Sequence, residues 1–220
     1  MTSTVIAGIK SVIFDMDGVL VDPEPLYPKV SENLFRKEFS ISVSEIYNET
    51  VGRKEDETIE IVAKHFELDT DLKDLVARIR RDCCDQLWTK ASPTPGSLQL
   101  ISNLNRRYRL ALASSSRREY LDVILTKFKI ENAFEVVVTG DDSEKGNPNP
   151  EMYVLTAQNL RLKPYECLVL EDSENGVNAA KNAGMKCIAI VTGFTEKQDF
   201  SRADHLVRSL WEIGPCLGLT

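Results

Sequence analysis

Histidine is scarce: His65 and His205 are the two in 220 residues, and neither stands in a constellation with other chemistry-bearing side chains. A histidine-based catalytic centre is therefore not expected. The five cysteines, at 83, 84, 167, 187 and 216, lack the spacing of a metal site. Cys83 continues an apolar helical stripe, and Cys167 and Cys187 fall in strand-like runs. Free thiols in a reducing cytosol are expected. No stretch approaches the roughly 18 unbroken apolar residues of a membrane span. The N-terminal "MTSTVIAGIK" lacks the charged start and cleavage pattern of a signal peptide, so a cytoplasmic protein is expected. An excess of positive charge is missing too. The formal net charge is −7, which argues against a nucleic-acid backbone as main partner. A small anionic substrate stays open, because local cations and metals decide that. There is no internal repeat and no low-complexity tract.

Apolar residues make up 42% of the chain, enough for one large domain or a core with an inserted subdomain. Five short apolar runs read as buried strands: "SVIF" at 11–14, "RLALAS" at 109–114, "FEVVV" at 134–138, "CLVLE" at 167–171 and "KCIAIV" at 186–191. Helical patterns follow several of them. Ser116 with Glu119 forms a capping-box signal before the stripe Tyr120, Leu121, Ile124, Leu125, Phe128. Asn149 can cap, with Pro150 at the first helical position. "SENGVNAAKNAG" ends on Gly184, a helix stop. Buried strands alternating with helices predict an α/β fold with a doubly wound parallel sheet.

From about 23 to 91 the patterns are helical only, as in "LYPKVSENLFRKEF" and "DLKDLVARIRRDCCDQLW". The expected division is a core of 1–21 and 93–220 with a helical insert of 22–92. "DPEP" and "SPTPG" mark its edges. The "RIRR" run at 78–81 reads as an exposed helix face.

The chemistry gathers at the strand ends. The first strand runs into Asp15 and Asp17 of "FDMDGVL", the second into Ser114, Ser115 and Ser116, the fourth into Glu171 and Asp172. In a parallel sheet these ends meet along one rim, where ligands bind. So many carboxylates in one place would repel one another unless a cation sat among them. Oxygen ligands with positions left open suit Mg²⁺. Serine hydroxyls and amides at a helix start suit a phosphate. Taken singly, Asp15 and Asp17 also read as a turn or a helix cap and Glu171–Asp172 as the cap of the next helix, while among the serines Ser116 reads as a cap and Ser114 as the better phosphate candidate.

The motifs "DMDGVL", "ALASSS", "KGNPNPE" and "EDSENGVNAAKNAGM", in this order, resemble those of the haloacid dehalogenase-like phosphohydrolases. The resemblance covers essentially the whole chain. It is nearest to the branch with a helical cap after the first strand, which holds sugar-phosphate phosphatases and β-phosphoglucomutase. It implies a Rossmann-like core and an aspartyl-phosphate formed on Asp15. Asp17 would be the general acid and base. Asp15, the Asp17 backbone carbonyl and Asp172 would hold Mg²⁺, with Glu171 near or in its shell. Ser114 and the amide of Ser115 would hold the phosphate. A second aspartate at 17 points to phosphoester chemistry rather than dehalogenation.

One position departs from the family pattern. Its third motif usually reads Gly-Lys-Pro, whereas this chain has Gly146–Asn147–Pro148. Losing that cation costs roughly 3–4 kcal/mol of transition-state stabilisation. Three readings stand side by side. Lys145, two residues upstream, substitutes for it; Asn147 leaves a weakened enzyme; or catalysis is lost and phosphate binding remains. In the cap, Gly52 and Arg53 of "TVGRKEDET" and Glu24 of "DPEP" are candidate substrate contacts. The mutase pattern would place a lysine at Val51 and an arginine at Glu55, which favours a hydrolase over a mutase. The expected partner is a small phosphorylated metabolite, a sugar or polyol phosphate. The expected assembly is a monomer or weak homo-oligomer.

Overall fold

The computed structural model describes residues 5–22, 26–46 and 55–219. Along the chain run β1 (Ser11–Phe14), α1 (Leu26–Phe39), α2 (Glu55–His65), α3 (Leu72–Lys90), α4 (Ser97–Leu104), β2 (Arg109–Ala113), α5 (Arg118–Phe128), β3 (Val136–Val138), α6 (Glu151–Asn159), β4 (Cys167–Glu171), α7 (Glu174–Asn182), β5 (Lys186–Ile190), β6 (His205–Val207) and α8 (Ile213–Cys216). The six strands form one parallel sheet in the order β3-β2-β1-β4-β5-β6. The α/β class is the expected one: parallel neighbours need long crossovers, and helices supply all of them but the one between β5 and β6.

β1 lies at the centre, buried at all four positions. It pairs Phe14 with Leu112 on one side and Leu170 on the other. Ile13, Ala111 and Val169 join a core cluster with Met152 and Tyr153 of α6 and Val177 of α7. Phe14 meets Phe134 edge to face, centroids 5.8 Å apart, an arrangement worth about 0.5–1.5 kcal/mol beyond burial.

The chain divides into two units, Met1–Glu24 with Ala91–Thr220, and Pro25–Lys90. In the second, α1 and α2 pack on α3. Val30, Leu34 and Phe35 of α1, Ile59 and Val62 of α2, and Leu75, Ile79 and Cys83 of α3 are buried. The "RIRR" run is not simply solvated. Arg78 pairs with Glu38 and Asp74, and Arg80 with Glu55 and Asp56.

Three local expectations need correction. The sheet has a sixth strand, β6, whose three residues hold no apolar run. α5 starts at Arg118 behind Arg117, whose side chain makes no cap, so Ser116 does not cap it. α6 starts one residue later than expected, with Pro150 at the cap position, while Asn149 Oδ1 still accepts the Glu151 N–H at 3.0 Å. Gly184, at φ 78°, follows α7 in the left-handed conformation that suits a glycine stop.

Candidate active site

Asp15 is the first residue beyond β1. Its N–H donates to the Leu170 carbonyl at 3.0 Å, which sets it beside Glu171 at the end of β4. Between β1 and β4 the strand order reverses direction, the place where open α/β sheets bind ligands. Beyond Asp15 the chain turns sharply. The Met16 carbonyl accepts from the Leu20 and Val21 amides, and Gly18 N–H donates to Val21 O at 2.9 Å. Gly18 takes φ 75°, and a Cβ there would lie 1.9 Å from Asp172 Oδ2. Conformation and contact both require glycine.

One oxygen each from Asp15, Glu171 and Asp172 lies within 4.8 Å of the others. Unit charges at that distance repel by roughly 3–4 kcal/mol per pair at an effective dielectric of about 20. Burial, and then the charges of Glu171, Asp17 and Asp172, hold the Asp15 carboxyl well above its ordinary pKa. Burial and the Glu171 and Asp17 charges push Asp172 up to about 7. Burial raises Glu171 too, against hydrogen bonds from Ser173 and Tyr153 that favour its charged form. Among the described residues no lysine or arginine pairs with these three groups. A set of hard oxygen donors short of positive charge fits a divalent cation of the Mg²⁺ type.

Asp17 stands outside this trio. Its residue is exposed at the rim, and Ser116 Oγ donates to its Oδ2 at 3.2 Å. The surrounding protein raises its pKa, and the Ser116 hydrogen bond opposes that rise. Ser116 thus serves the rim rather than the helix end, a role its capping-box spacing concealed.

Beyond β2, Ser114 is buried, and its Oγ accepts the Ser116 N–H at 3.1 Å. The Ser115 carbonyl lies against Gly140, where a Cβ would come within 2.1 Å. Ser115 also lines a cavity of about 400 Å³ with Asn147, Ser173, Glu174, Asn175 and Gln198. Asn147 therefore faces the same space as the Ser115 loop. Lys145 does not line it: the residue is exposed, and its N–H donates to Glu151 Oε2. Glu24, Gly52 and Arg53 lie outside the described residues.

Sequence reasoning overlooked the residues that surround Glu171. Tyr153 Oη donates to Glu171 Oε1 at 2.9 Å, from a side chain with no solvent exposure. Burial and the nearby Glu171 and Asp15 charges raise the phenol's pKa well above its ordinary value. Ser173, the N-cap of α7, donates to Glu171 Oε2 from its N–H and its hydroxyl. Gly176 lies so close that a Cβ would meet Glu171 Oε1 at 1.6 Å. Ser173 and Gly176 belong to the "EDSENG" stretch, whereas Tyr153 reads in sequence as one more core aromatic.

Comparison with known proteins agrees with this geometry. The haloacid dehalogenase-like hydrolase family matches residues 12–190. A phosphorylated carbohydrates phosphatase from Thermotoga maritima is 32% identical over 182 residues, 82% of this chain and 84% of that protein. (DL)-glycerol-3-phosphatase 2 of Arabidopsis thaliana is 29% identical over 220 residues, 94% of this chain and 90% of the relative. The crystal structure of CbbY from Rhodobacter sphaeroides in complex with phosphate superposes with a TM-score of 0.79 at 26% identity, covering 96% of this chain and all of that one. A rim with Asp15 at the switch point, faced by Glu171 and Asp172, and a family match across most of the sheet lead to one assignment: the chain belongs to the haloacid dehalogenase-like hydrolases.

Proposed function

We propose that the protein is a Mg²⁺-dependent phosphatase of a small phosphorylated metabolite, a sugar or polyol phosphate. The observation that carries this reading is the convergence of Asp15, Glu171 and Asp172 at the switch point, with Asp17 held apart by Ser116. The named activities of the Thermotoga and Arabidopsis relatives support the substrate class.

In the proposed reaction an Asp15 carboxylate oxygen attacks phosphorus, and the ester P–O bond breaks. The departing oxygen takes a proton from the Asp17 carboxyl, whose Oδ2 is engaged by Ser116 and whose Oδ1 can carry that proton. The Asp17 carboxylate then accepts a proton from water as its oxygen attacks the acyl phosphate. Inorganic phosphate leaves and Asp15 is regenerated. Asp15, Asp172, Glu171 and the Asp17 backbone carbonyl would hold the cation, which supplies charge neutralisation for the phosphoryl group. Ser114 and the Ser115 amide would orient the phosphate oxygens. The insert, Pro25–Lys90, would act as the cap.

Asn147 motivates a second reading, a weakened or non-catalytic phosphate binder. It lines the cavity with Ser115 at the place where the family pattern has lysine, and Lys145 does not line that cavity. The deciding experiment is phosphate release from a panel of sugar and polyol phosphates, with and without Mg²⁺, by the parent and Asn147→Lys. Mg²⁺-dependent release by the parent, raised about 10²-fold or more in Asn147→Lys, is the expected result. Absence of release from both proteins, with inorganic phosphate still bound, would establish the binder instead.

A further inference from the structure

Glu171 is the most tightly held of the three clustered carboxylates. Oε1 accepts from Tyr153 Oη at 2.9 Å. Oε2 accepts from Ser173 N at 2.9 Å and Ser173 Oγ at 3.0 Å. The serine hydroxyl is fixed in turn, because its oxygen accepts the Gly176 N–H at 3.0 Å. The absent Cβ of Gly176 lets α7 close over the carboxylate. Two of these restraints come from the segment that directly follows β4. The third comes from α6, a separate helix, through a phenol sealed in the core beside Met152, Ala157 and Val177.

A buried phenol has one polar atom to satisfy. Here it is spent on a carboxylate that already has two donors on its other oxygen. Phenylalanine would fill the same volume and pack equally well, so the core alone does not call for the hydroxyl. What the hydroxyl adds is a fixed carboxylate plane and a donor that favours the charged form of Glu171.

We propose that Tyr153 is a positioning residue for the divalent cation, acting through Glu171 and locking its carboxylate toward Asp15 and Asp172. This rests on the reading of the acidic trio as the metal site. Groups that orient a ligand from behind typically contribute 10–100-fold to metal affinity. α6 thereby serves the acidic rim from its buried face, while the segment leading into it carries Asn147 at the cavity.

The test is a set of metal titrations on chelator-treated protein, by calorimetry with Mg²⁺ and by electron paramagnetic resonance with Mn²⁺. The proteins are the parent, Tyr153→Phe, Glu171→Gln and the double variant. Tyr153→Phe is expected to weaken Mg²⁺ about 10–100-fold. Added to Glu171→Gln it should change affinity by no more than about 3-fold, because the hydroxyl acts through that carboxylate. A general packing defect would instead lower the melting temperature in chelator and leave the metal constant alone. Tyr153→Phe affinity within about 3-fold of the parent would overturn the proposal, as would the same large loss in the Glu171→Gln background. Should the parent bind neither ion, the metal-site reading itself falls, and this is seen before any variant is compared.

Discussion

The two ends of the sheet are furnished differently. Where the strands begin, acids and bases stand in pairs. Lys10, just before β1, meets Glu166, just before β4, at 2.6 Å. Arg109 at the start of β2 pairs with Glu135 beside β3. Lys186 at the start of β5 and Lys181 of α7 both reach Asp204, just before β6. Where the strands end, Asp15, Glu171 and Asp172 face one another with no such partner among the described residues. The pairs at the starting end lower the pKa of Glu166, Glu135 and Asp204, whereas burial and mutual crowding raise those of Asp15, Glu171 and Asp172 at the finishing end. One end is arranged for the folded chain by itself. The other leaves three like-charged groups facing one another.

The strongest test of that contrast is Asp15→Asn. Removing the proposed nucleophile should lower hydrolysis of a phosphate ester by about 10³-fold or more, read by phosphate release. It also removes one of three like charges, so the metal-free protein should melt higher, by about 2–4 °C for each kcal/mol gained. A variant that kept its activity would break the comparison at its functional end.

The next test is pH. A carboxyl whose folded pKa is raised binds its proton more tightly when folded. Its stabilising contribution is complete below the unfolded value and is lost as pH rises through the folded value. For Asp172 that window runs from the ordinary 3.8 to about 7. Metal-free protein should therefore lose on the order of 2 kcal/mol of stability between about pH 5 and 8, by urea unfolding. Saturating Mg²⁺ should flatten the decline. A metal-free stability that rose across this range would contradict the crowding.

The smallest effect belongs to the starting end. A double-mutant cycle on Arg109 and Glu135, both solvent-exposed, should return a coupling of about 0.2–1 kcal/mol that shrinks with added salt. A coupling several times larger would mean that the surface pairs carry more of the fold than this comparison allows.

The strands with long apolar runs were legible because both faces of a central parallel strand are buried. β6 was not, since Leu206 is 58% exposed and three residues carry no periodicity. The carboxylates were legible for a related reason: a charge directly after a buried strand has few places to go except the rim. The supporting contacts were not. Its spacing ties Ser116 to the nearest helix, yet its hydroxyl reaches Asp17 across almost half the chain. Tyr153 looks like any core aromatic until β4 brings Glu171 beside it. Local spacing predicts local partners, and these bonds are set by topology.

The segment between β1 and α4 leaves and returns through a short backbone clasp. Asp22 N–H donates to Ser92 O, Thr94 N–H donates to Leu20 O, and Val21 bridges Pro93 in antiparallel fashion. Because the outgoing and incoming segments are tied to each other, the insertion is fixed at both ends within the core unit itself. Its length and sequence can drift without dragging β1 or β2 out of register. That uncouples variation in the inserted unit from the acidic rim.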